Sequence, residues 1–312
     1  METEPEILNL EVGEAGKLVR IPHPEDDNQP LTRIPDYDTL VLSGGAVKGI
    51  VVLGGLEYVC ENFYLKHIKT YIGTSVGSMI CYLLCIGYNP LEILVYLSTH
   101  SEVFDKLRSL DVVNMYNGLG ATSFLVIQDI LEKMTISKIG RLITLKDLYE
   151  QFGKKLVCTT YNDTDSKTEY LSHENNPNLP CLIAIRMSCS IPEIFENFNY
   201  EGKQYIDGGI GDNFPIQLGE KEGERVIAFL VTKKDKSSIK QDEPFIERVY
   251  RRAFIAINQL IEYKISQSTD RTTIIRFCYP SIGFFNFNVS ASDRMNMFSH
   301  GYQITKECFE GR

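Results

Sequence analysis

The chain has 312 residues, of which 43% are hydrophobic and 11% aromatic, so it can bury a full core and is not disordered by composition. Its formal net charge of −9 argues against broad nucleic-acid binding, because a phosphate backbone requires a basic surface. An acidic average does not exclude membrane contact, because a local basic or aromatic patch is sufficient.

The eight cysteines form no CxxC pair and do not alternate with histidine, which argues against a zinc site and predicts reduced, buried thiols. The acidic N-terminus lacks the apolar core of a signal peptide, and no apolar run reaches the roughly 20 residues of a membrane span. We therefore expect a cytoplasmic protein, peripheral at membranes at most, without a metal or cofactor.

Composition divides the chain at one point near its N-terminus. Residues 1–36 form a polar leader rich in proline, glutamate and aspartate. The remainder, residues 37–312, is expected to be a single domain, with the motif-bearing part at 39–220 and a C-terminal cap of helix and strand at 221–312.

The first predicted elements, in chain order, are a strand at 39–42, a helix with apolar residues at helical spacing over 53–63, a second strand at 68–72 and a helix at 76–86. This repeated order of strand, turn and helix predicts an α/β fold with a largely parallel sheet. Further helices are expected at 90–97, 126–134, 145–152, 182–188 and 245–265, and further strands at 155–160, 168–171, 204–206, 225–231 and 273–278. Polar turn residues at 162–167 predict a hairpin.

The turn after the second strand reads Gly73-Thr74-Ser75-Val76-Gly77, which has the spacing of a nucleophile elbow. Glycines on both sides let the chain turn sharply, so that Ser75 projects near the start of a helix. The pattern alone fits an ordinary glycine- and serine-rich turn equally well. A serine hydroxyl also requires a base before it becomes a nucleophile.

A glycine-rich loop, Ser43-Gly44-Gly45-Ala46-Val47-Lys48-Gly49, follows the first strand. Consecutive glycines expose backbone N–H groups, which can stabilise the oxyanion of an acyl-transfer transition state. Lys48 adds a positive potential suited to an anionic head group. The spacing is not that of a Walker phosphate loop, and a dinucleotide fingerprint would leave the serine turn of the next unit unexplained.

Two kinds of base are open for Ser75. Asp207, followed by Gly208 and Gly209, ends a short strand, where a carboxylate can act as general base; the same residues also fit an Asx turn without chemistry. A triad of serine, acid and histidine requires a late histidine, and His300 is the alternative base that we retain.

Together these segments resemble the patatin-like phospholipase family. Three motifs match in order: the glycine-rich loop from Leu42 to Gly49, the G-T-S-V-G turn and the D-G-G motif at 207–209. Further matching segments lie at 144–149, 153–156, 184–192, 195 and 212–215, so that the similarity spans about 39–215. In one departure, Ser43 stands where many members have a third glycine.

The resemblance implies a three-layer α/β/α sandwich with a central, mostly parallel sheet. It implies phospholipase A-type hydrolysis of lipid acyl esters through an acyl-enzyme, without a metal ion. Carried over, Ser75 is the nucleophile and Asp207 the base of a dyad that needs no histidine. The oxyanion hole then falls on Gly44, Gly45 and Ala46, and the supporting motif residues are Lys48, Gly49, Gly73, Gly77, Gly208 and Gly209.

The expected partners are a phospholipid or other lipid ester and a transient membrane surface, without nucleic acid; the sequence identifies no protein activator. Two other functions stay open: a soluble carboxylesterase with a triad that includes His300, and a non-catalytic scaffold that binds lipid or protein.

Two C-terminal features are compatible with lipid contact. The apolar segments 284–287 and 295–298 are expected to pack a cap onto the core rather than to form a lip at a membrane. The arginines at 248, 251 and 252 are expected to form a solvated helix face rather than to touch lipid.

Overall fold

A computed structural model describes residues 36–107, 111, 114–115, 117, 120–232 and 245–310. Within these residues, eight strands form one sheet: β1 (Thr39–Leu42), β2 (Thr70–Thr74), β3 (Lys155–Asn162), β4 (Lys167–Leu171), β5 (Phe198–Tyr200), β6 (Lys203–Asp207), β7 (Val226–Thr232) and β8 (Thr272–Cys278). Their order across the sheet is β5-β6-β3-β2-β1-β7-β8, and β4 pairs with β3 outside this path. The predicted leader lies outside the described residues except for Asp36.

The sheet is parallel at its centre and antiparallel at one end. Strands β3, β2, β1, β7 and β8 pair parallel in that order, whereas β4 and β6 run antiparallel to β3 and β5 antiparallel to β6. The predicted hairpin is the β3–β4 pair. The α/β class and the mostly parallel sheet are therefore confirmed.

Helices cover both faces of the sheet. They are α1 (Gly49–Glu61), α2 (Val76–Cys85), α3 (Pro90–Thr99), α4 (Glu102–Leu107), α5 (Leu125–Ile139), α6 (Leu145–Phe152), α7 (Cys181–Ser188), α8 (Gly209–Asp212), α9 (Ile216–Glu222), α10 (Phe245–Ser266) and α11 (Ala291–Glu310). Among the described residues no single helix has both the length and the apolarity needed to cross a membrane; the bent pair α2–α3 meets the criterion only when taken together.

Alternation along the central strands supplies two separate cores. Leu40 and Leu42 of β1 pack into the larger core with α1 and α2, whereas Val41 packs into a smaller core with Ile216 and Ile261. Successive strand residues point to opposite faces, so a strand that is apolar throughout requires cover on both sides. The result is the three-layer arrangement.

The C-terminal helix α11 was not predicted from the sequence. A reciprocal cap between Ser290 and Asp293 starts it, but its buried stripe includes Arg294, Gly301 and Thr305, which interrupts the apolar period. Phe287, Met297 and Phe298 of the two apolar segments are buried, in line with the expected packing onto the core, whereas Met295 is 51% exposed.

Helices α1 and α11 pack backbone against backbone. A methyl group at Gly54 would collide with the carbonyl oxygen of Phe298, and one at Gly301 would collide with the carbonyl oxygen of Val51. Any side chain at these positions would force the two helices apart. This contact joins the C-terminal helix to the helix that follows the glycine-rich loop.

We expect Gly301→Ala to lower the free energy of unfolding by about 1–3 kcal/mol, because the added methyl group has no space between the helices. Helix propensity alone predicts the opposite sign, a gain of about 1 kcal/mol. Denaturant unfolding followed by circular dichroism measures the difference. The control is Ser299→Ala, at an exposed position of the same helix, which should change stability by less than about 0.5 kcal/mol; a stabilised Gly301→Ala variant would contradict the packing argument.

Candidate active site

Ser75 lies at the turn between β2 and α2, in a backbone conformation that is uncommon for a residue with a side chain. Its φ is 54° and its ψ is −127°. Two serines hold this turn: the Ser75 N–H donates to Ser188 Oγ at 2.9 Å, and Ser78 Oγ donates to the Ser75 carbonyl at 2.6 Å. The serine therefore sits on a fixed, strained elbow.

The two glycines of the elbow are required by close backbone contacts. A Cβ atom at Gly73 would collide with the backbone of Gly77, and one at Gly77 would lie 2.6 Å from the carbonyl oxygen of Leu42. The sequence prediction of a sharp turn from strand to helix is consistent with these contacts.

Asp207 lies near Ser75 because β2 and β6 flank β3, run in opposite directions and end at neighbouring positions along it. Strand β2 runs parallel to β3 and ends with Thr74 opposite Thr159. Strand β6 runs antiparallel to β3 and ends with Asp207 opposite Thr160. The two carboxyl ends therefore meet within one residue of register.

The carboxylate of Asp207 is buried. Its Oδ1 accepts a hydrogen bond from the Gly209 N–H at 2.7 Å, while Oδ2 has no hydrogen-bond partner among the described residues. Burial raises the pKa of Asp207 from 3.8 to about 6, and the nearby Ser75 hydroxyl and the Gly209 N–H oppose this rise. At neutral pH most molecules thus hold an ionised carboxylate beside the Ser75 hydroxyl.

The structure narrows the predicted oxyanion hole. The Gly44 N–H is already used, because it donates to the carbonyl oxygen of Asn213 at 3.2 Å. The N–H groups of Gly45 and Ala46 donate no hydrogen bond within the described part of the chain, and both residues line a cavity with Ser75. The absence of a side chain at Gly44 instead lets the loop lie close to Asn213, since a Cβ atom there would collide with the Asn213 side chain.

Ser43, which departs from the family pattern, anchors the loop to the neighbouring strand. Its Oγ accepts a hydrogen bond from the Val231 N–H at 2.9 Å and donates to the Gly44 carbonyl at 3.0 Å. The hydroxyl group therefore fixes the position at which the glycine-rich loop leaves β1.

Lys48, which the sequence predicts to add a positive potential suited to an anionic head group, lies inside the protein. Lys48 is only 4% exposed, and its Nζ lies over the ring of Phe284, 4.3 Å from the centroid. Its ammonium group therefore supports the loop from within. Gly49 is required at its position, because a side chain there would meet Val76 at 2.5 Å.

Two cavities of different polarity meet at Ser75. The first is an apolar cavity of about 140 Å³ that extends between helices α1, α2, α3 and α5. The second is more polar and is lined by groups that include Asp207, Asn213 and Asn258. Ser75 and Ala46 line both cavities, so the hydroxyl is accessible from either side.

A buried ion pair behind the site was not found from the sequence. Asp212 pairs with Lys264 of α10 at 2.8 Å and accepts a hydrogen bond from the Tyr170 hydroxyl at 2.8 Å. The carbonyl of Asp212 accepts from Thr74 Oγ1, beside the elbow, at 3.0 Å. The role of Ser188 was not predicted either: the sequence placed it only within the matching segment 184–192. No local pattern indicates that its hydroxyl, on the distant helix α7, accepts a hydrogen bond from the Ser75 N–H.

None of the described histidines lines either cavity. The Nε2 of His300 lies 3.1 Å from the carbonyl oxygen of Cys278, at the end of β8. That strand is three positions from β2, or roughly 14 Å across the sheet. No group of three histidine, cysteine, aspartate or glutamate side chains in the described residues is placed to hold a metal.

Comparison with known proteins gives matches over most of the chain. A sequence profile described as patatin-like phospholipase matches residues 40–218. The probable lipid hydrolase 463L of Invertebrate iridescent virus 6 is 38% identical over 189 residues, which are 59% of this chain and 64% of that protein. The uncharacterized protein R571 of Acanthamoeba polyphaga mimivirus is 26% identical over 278 residues, 86% of this chain and 92% of that protein.

The crystal structure of VipD from Legionella pneumophila has a similar fold. It superposes with a TM-score of 0.54 at 17% identity, covering 89% of this chain and 67% of that one. The fold and the serine elbow together have the architecture of an α/β serine hydrolase. The chain belongs to the patatin-like phospholipase family, as the match to more than half of its length shows.

We expect Asp207→Asn to stabilise the folded protein at alkaline pH. The folded-state pKa of Asp207 lies above that of the unfolded chain, so ionising Asp207 disfavours folding. This cost is absent below about pH 4, grows as the pH rises, and is complete above about pH 6, where it reaches about 3 kcal/mol. Thermal unfolding of both proteins at pH 4 and at pH 8, roughly on either side of this range, measures it.

Equal stability near pH 4 with a more stable variant at pH 8 is the expected pattern. A variant that is less stable than the wild type at alkaline pH would contradict the burial cost.

Proposed function

We propose that this protein is a lipid acyl hydrolase of the phospholipase A type, in which Ser75 is the nucleophile and Asp207 the general base. The convergence of β2 and β6 on β3 carries the proposal, because it brings a hydroxyl on a strained elbow next to a buried carboxylate. Membership of the patatin-like phospholipase family and the likeness to the viral protein named as a probable lipid hydrolase support the substrate class.

The proposed reaction uses groups of the chain itself. Asp207 removes the Ser75 proton as Oγ attacks the ester carbonyl carbon, and the N–H groups of Gly45 and Ala46 stabilise the oxyanion. The carbon–oxygen bond to the alcohol breaks, the alcohol leaves with the proton from Asp207, and an acyl-enzyme remains. Asp207 then takes a proton from a water molecule that attacks the acyl carbon, the bond to Ser75 Oγ breaks, and the fatty acid leaves as the proton on Asp207 passes to Oγ.

The apolar cavity is suited to the acyl chain of the ester. It begins at Ser75 and follows α2 past Met79 to Leu83, and almost all of its lining is apolar. Leu83 is eight residues beyond Ser75, which corresponds to about 12 Å along the helix. The more polar cavity on the other side of Ser75 is left for the alcohol part of the substrate.

The two alternative functions have less support. A triad with His300 would need a large rearrangement, because this histidine contacts the end of β8. A non-catalytic scaffold gives no reason to keep a strained serine and a buried, half-satisfied carboxylate side by side. We further propose a cytoplasmic protein that associates transiently with membranes; the burial of six of its eight cysteines as thiols is compatible with that compartment.

We expect Ser75→Ala and Asp207→Asn each to lower kcat/KM by at least about a thousandfold, because both groups act in the same step. In the wild type, kcat/KM for a soluble ester should rise with pH through an apparent pKa of about 6, since Asp207 must be ionised. Hydrolysis of p-nitrophenyl esters across the pH range measures both effects.

The matched control is His300→Ala, which should retain near-normal activity. A fluorophosphonate probe should label the wild type at Ser75 and leave Ser75→Ala unlabelled. Loss of activity in His300→Ala with a normal Asp207→Asn variant would instead support the triad, and a wild type that fails to react with the probe would support the scaffold.

We expect Leu83→Trp to shift the preference towards short acyl chains, because the indole ring fills the cavity two helical turns from Ser75. The ratio of kcat/KM for long-chain to short-chain p-nitrophenyl esters should fall by at least about tenfold. Leu91→Trp, at an exposed position of α3, is the control and should leave the ratio unchanged. An unchanged ratio in Leu83→Trp would show that the acyl chain binds elsewhere.

A further inference from the structure

Helix α10 has an exposed outer face with an unusual mixture of side chains. Four of the twelve exposed large apolar side chains in the described residues lie on this helix. They are Val249, Ile255, Leu260 and Tyr263, which are 44%, 52%, 43% and 60% exposed. Together with the exposed Arg248 and Arg252 they form what we call the outer face of α10. Isolated exposed apolar residues are normal, but a concentration on one helix indicates an interaction surface.

The charge of this face is opposite to that of the whole protein. Arg248 and Arg252 make no ion pair or hydrogen bond with any residue that the structure describes. The acidic Glu262 of the same helix is engaged by the Arg276 guanidinium at 2.8 and 2.9 Å. In a chain of net charge −9, the N-terminal half of the helix thus places the exposed Arg248 and Arg252 beside apolar groups.

The opposite flank of α10 is part of the candidate active site. Phe254 and Asn258 line the more polar cavity with Ser75 and Asp207. Since Ile255 directly follows Phe254, the outer face lies within one helical turn of the cavity wall. The buried pair of Lys264 with Asp212 fixes the helix against the site.

We propose that the outer face of α10 docks the protein on an anionic lipid surface and so presents the cavity at Ser75 to its substrate. The proposal rests on the lipid hydrolase function proposed above. Apolar side chains insert at the boundary of head groups and acyl chains, while arginines on the same helix are attracted to anionic lipids. This assignment differs from the expectation that the arginines only form a solvated face.

Binding is tested with the full chain carrying Ser75→Ala, so that the lipid is not consumed. Binding is measured as the fraction of protein that sediments with vesicles, either of phosphatidylcholine alone or of phosphatidylcholine with phosphatidylserine. We expect binding that requires phosphatidylserine and weakens with salt. Adding Arg248→Glu and Arg252→Glu should reduce the partition coefficient on vesicles that contain phosphatidylserine by at least about tenfold, and adding Ile255→Ser and Leu260→Ser instead should also reduce it.

The matched control is Lys66→Glu with Lys69→Glu. This variant makes the same change in net charge at two exposed positions that precede β2, whereas Ser75 follows the other end of that strand. We expect it to bind phosphatidylserine vesicles as the parent does. A loss of binding as large as that of the arginine pair would overturn the proposal, because net charge alone would then explain the effect.

Hydrolysis of a soluble p-nitrophenyl ester separates the two proposals. With Ser75 intact, the double variant Arg248→Glu with Arg252→Glu (the arginine pair) should hydrolyse this ester normally but lose activity on vesicles that contain phosphatidylserine. Normal activity on vesicles would overturn the docking surface and leave the catalytic proposal intact. A wild type that binds vesicles but hydrolyses no ester would overturn the catalytic proposal and leave the docking surface intact. Loss of concentration-dependent self-association in the arginine pair, without loss of vesicle binding, would assign the face to a second copy and overturn the lipid assignment.

Discussion

The site depends on a carboxylate that is held in the protein interior next to a serine hydroxyl. Burial disfavours the ionised form of Asp207, and the Gly209 N–H offsets only part of that cost. A buried carboxylate with one unpaired oxygen has a strong tendency to accept a proton. The same environment that costs stability therefore makes Asp207 a stronger base than an exposed aspartate.

Serine hydroxyls accept hydrogen bonds from main-chain N–H groups of distant parts of the chain, and these bonds hold the candidate site in place. Ser188 fixes the N–H of Ser75, and Ser43 fixes the start of the glycine-rich loop on β7. Asn213 takes the Gly44 N–H, so the remaining N–H groups of that loop are those of Gly45 and Ala46. These contacts need close approach of main chains, which explains the glycines at Gly44, Gly73 and Gly77.

Helix α10 connects the site to the surface. Its inner flank contributes Phe254 and Asn258 to the polar cavity, and Lys264 neutralises Asp212 behind the elbow. Its outer flank carries apolar side chains and arginines. Both flanks belong to one helix, so the proposed docking surface lies next to the cavity wall. The amphipathic period of this helix is visible in the sequence, but the identity of its buried partner is not.

The sequence by itself determined the α/β class, most strands and helices, and the positions of Ser75 and Asp207 as candidates. Local signals suffice for these, because period, turn glycines and strand ends are properties of neighbouring residues. Helix α11 was missed because glycine, threonine and arginine occupy its buried stripe. Only the tertiary structure shows that Asp207 lies in one cavity with Ser75 while His300 lies at the end of β8, that Lys48 is internal, and that Gly45 and Ala46 keep their N–H groups available. Each of these depends on strand order and register, which bring together residues more than a hundred positions apart and which no local pattern specifies.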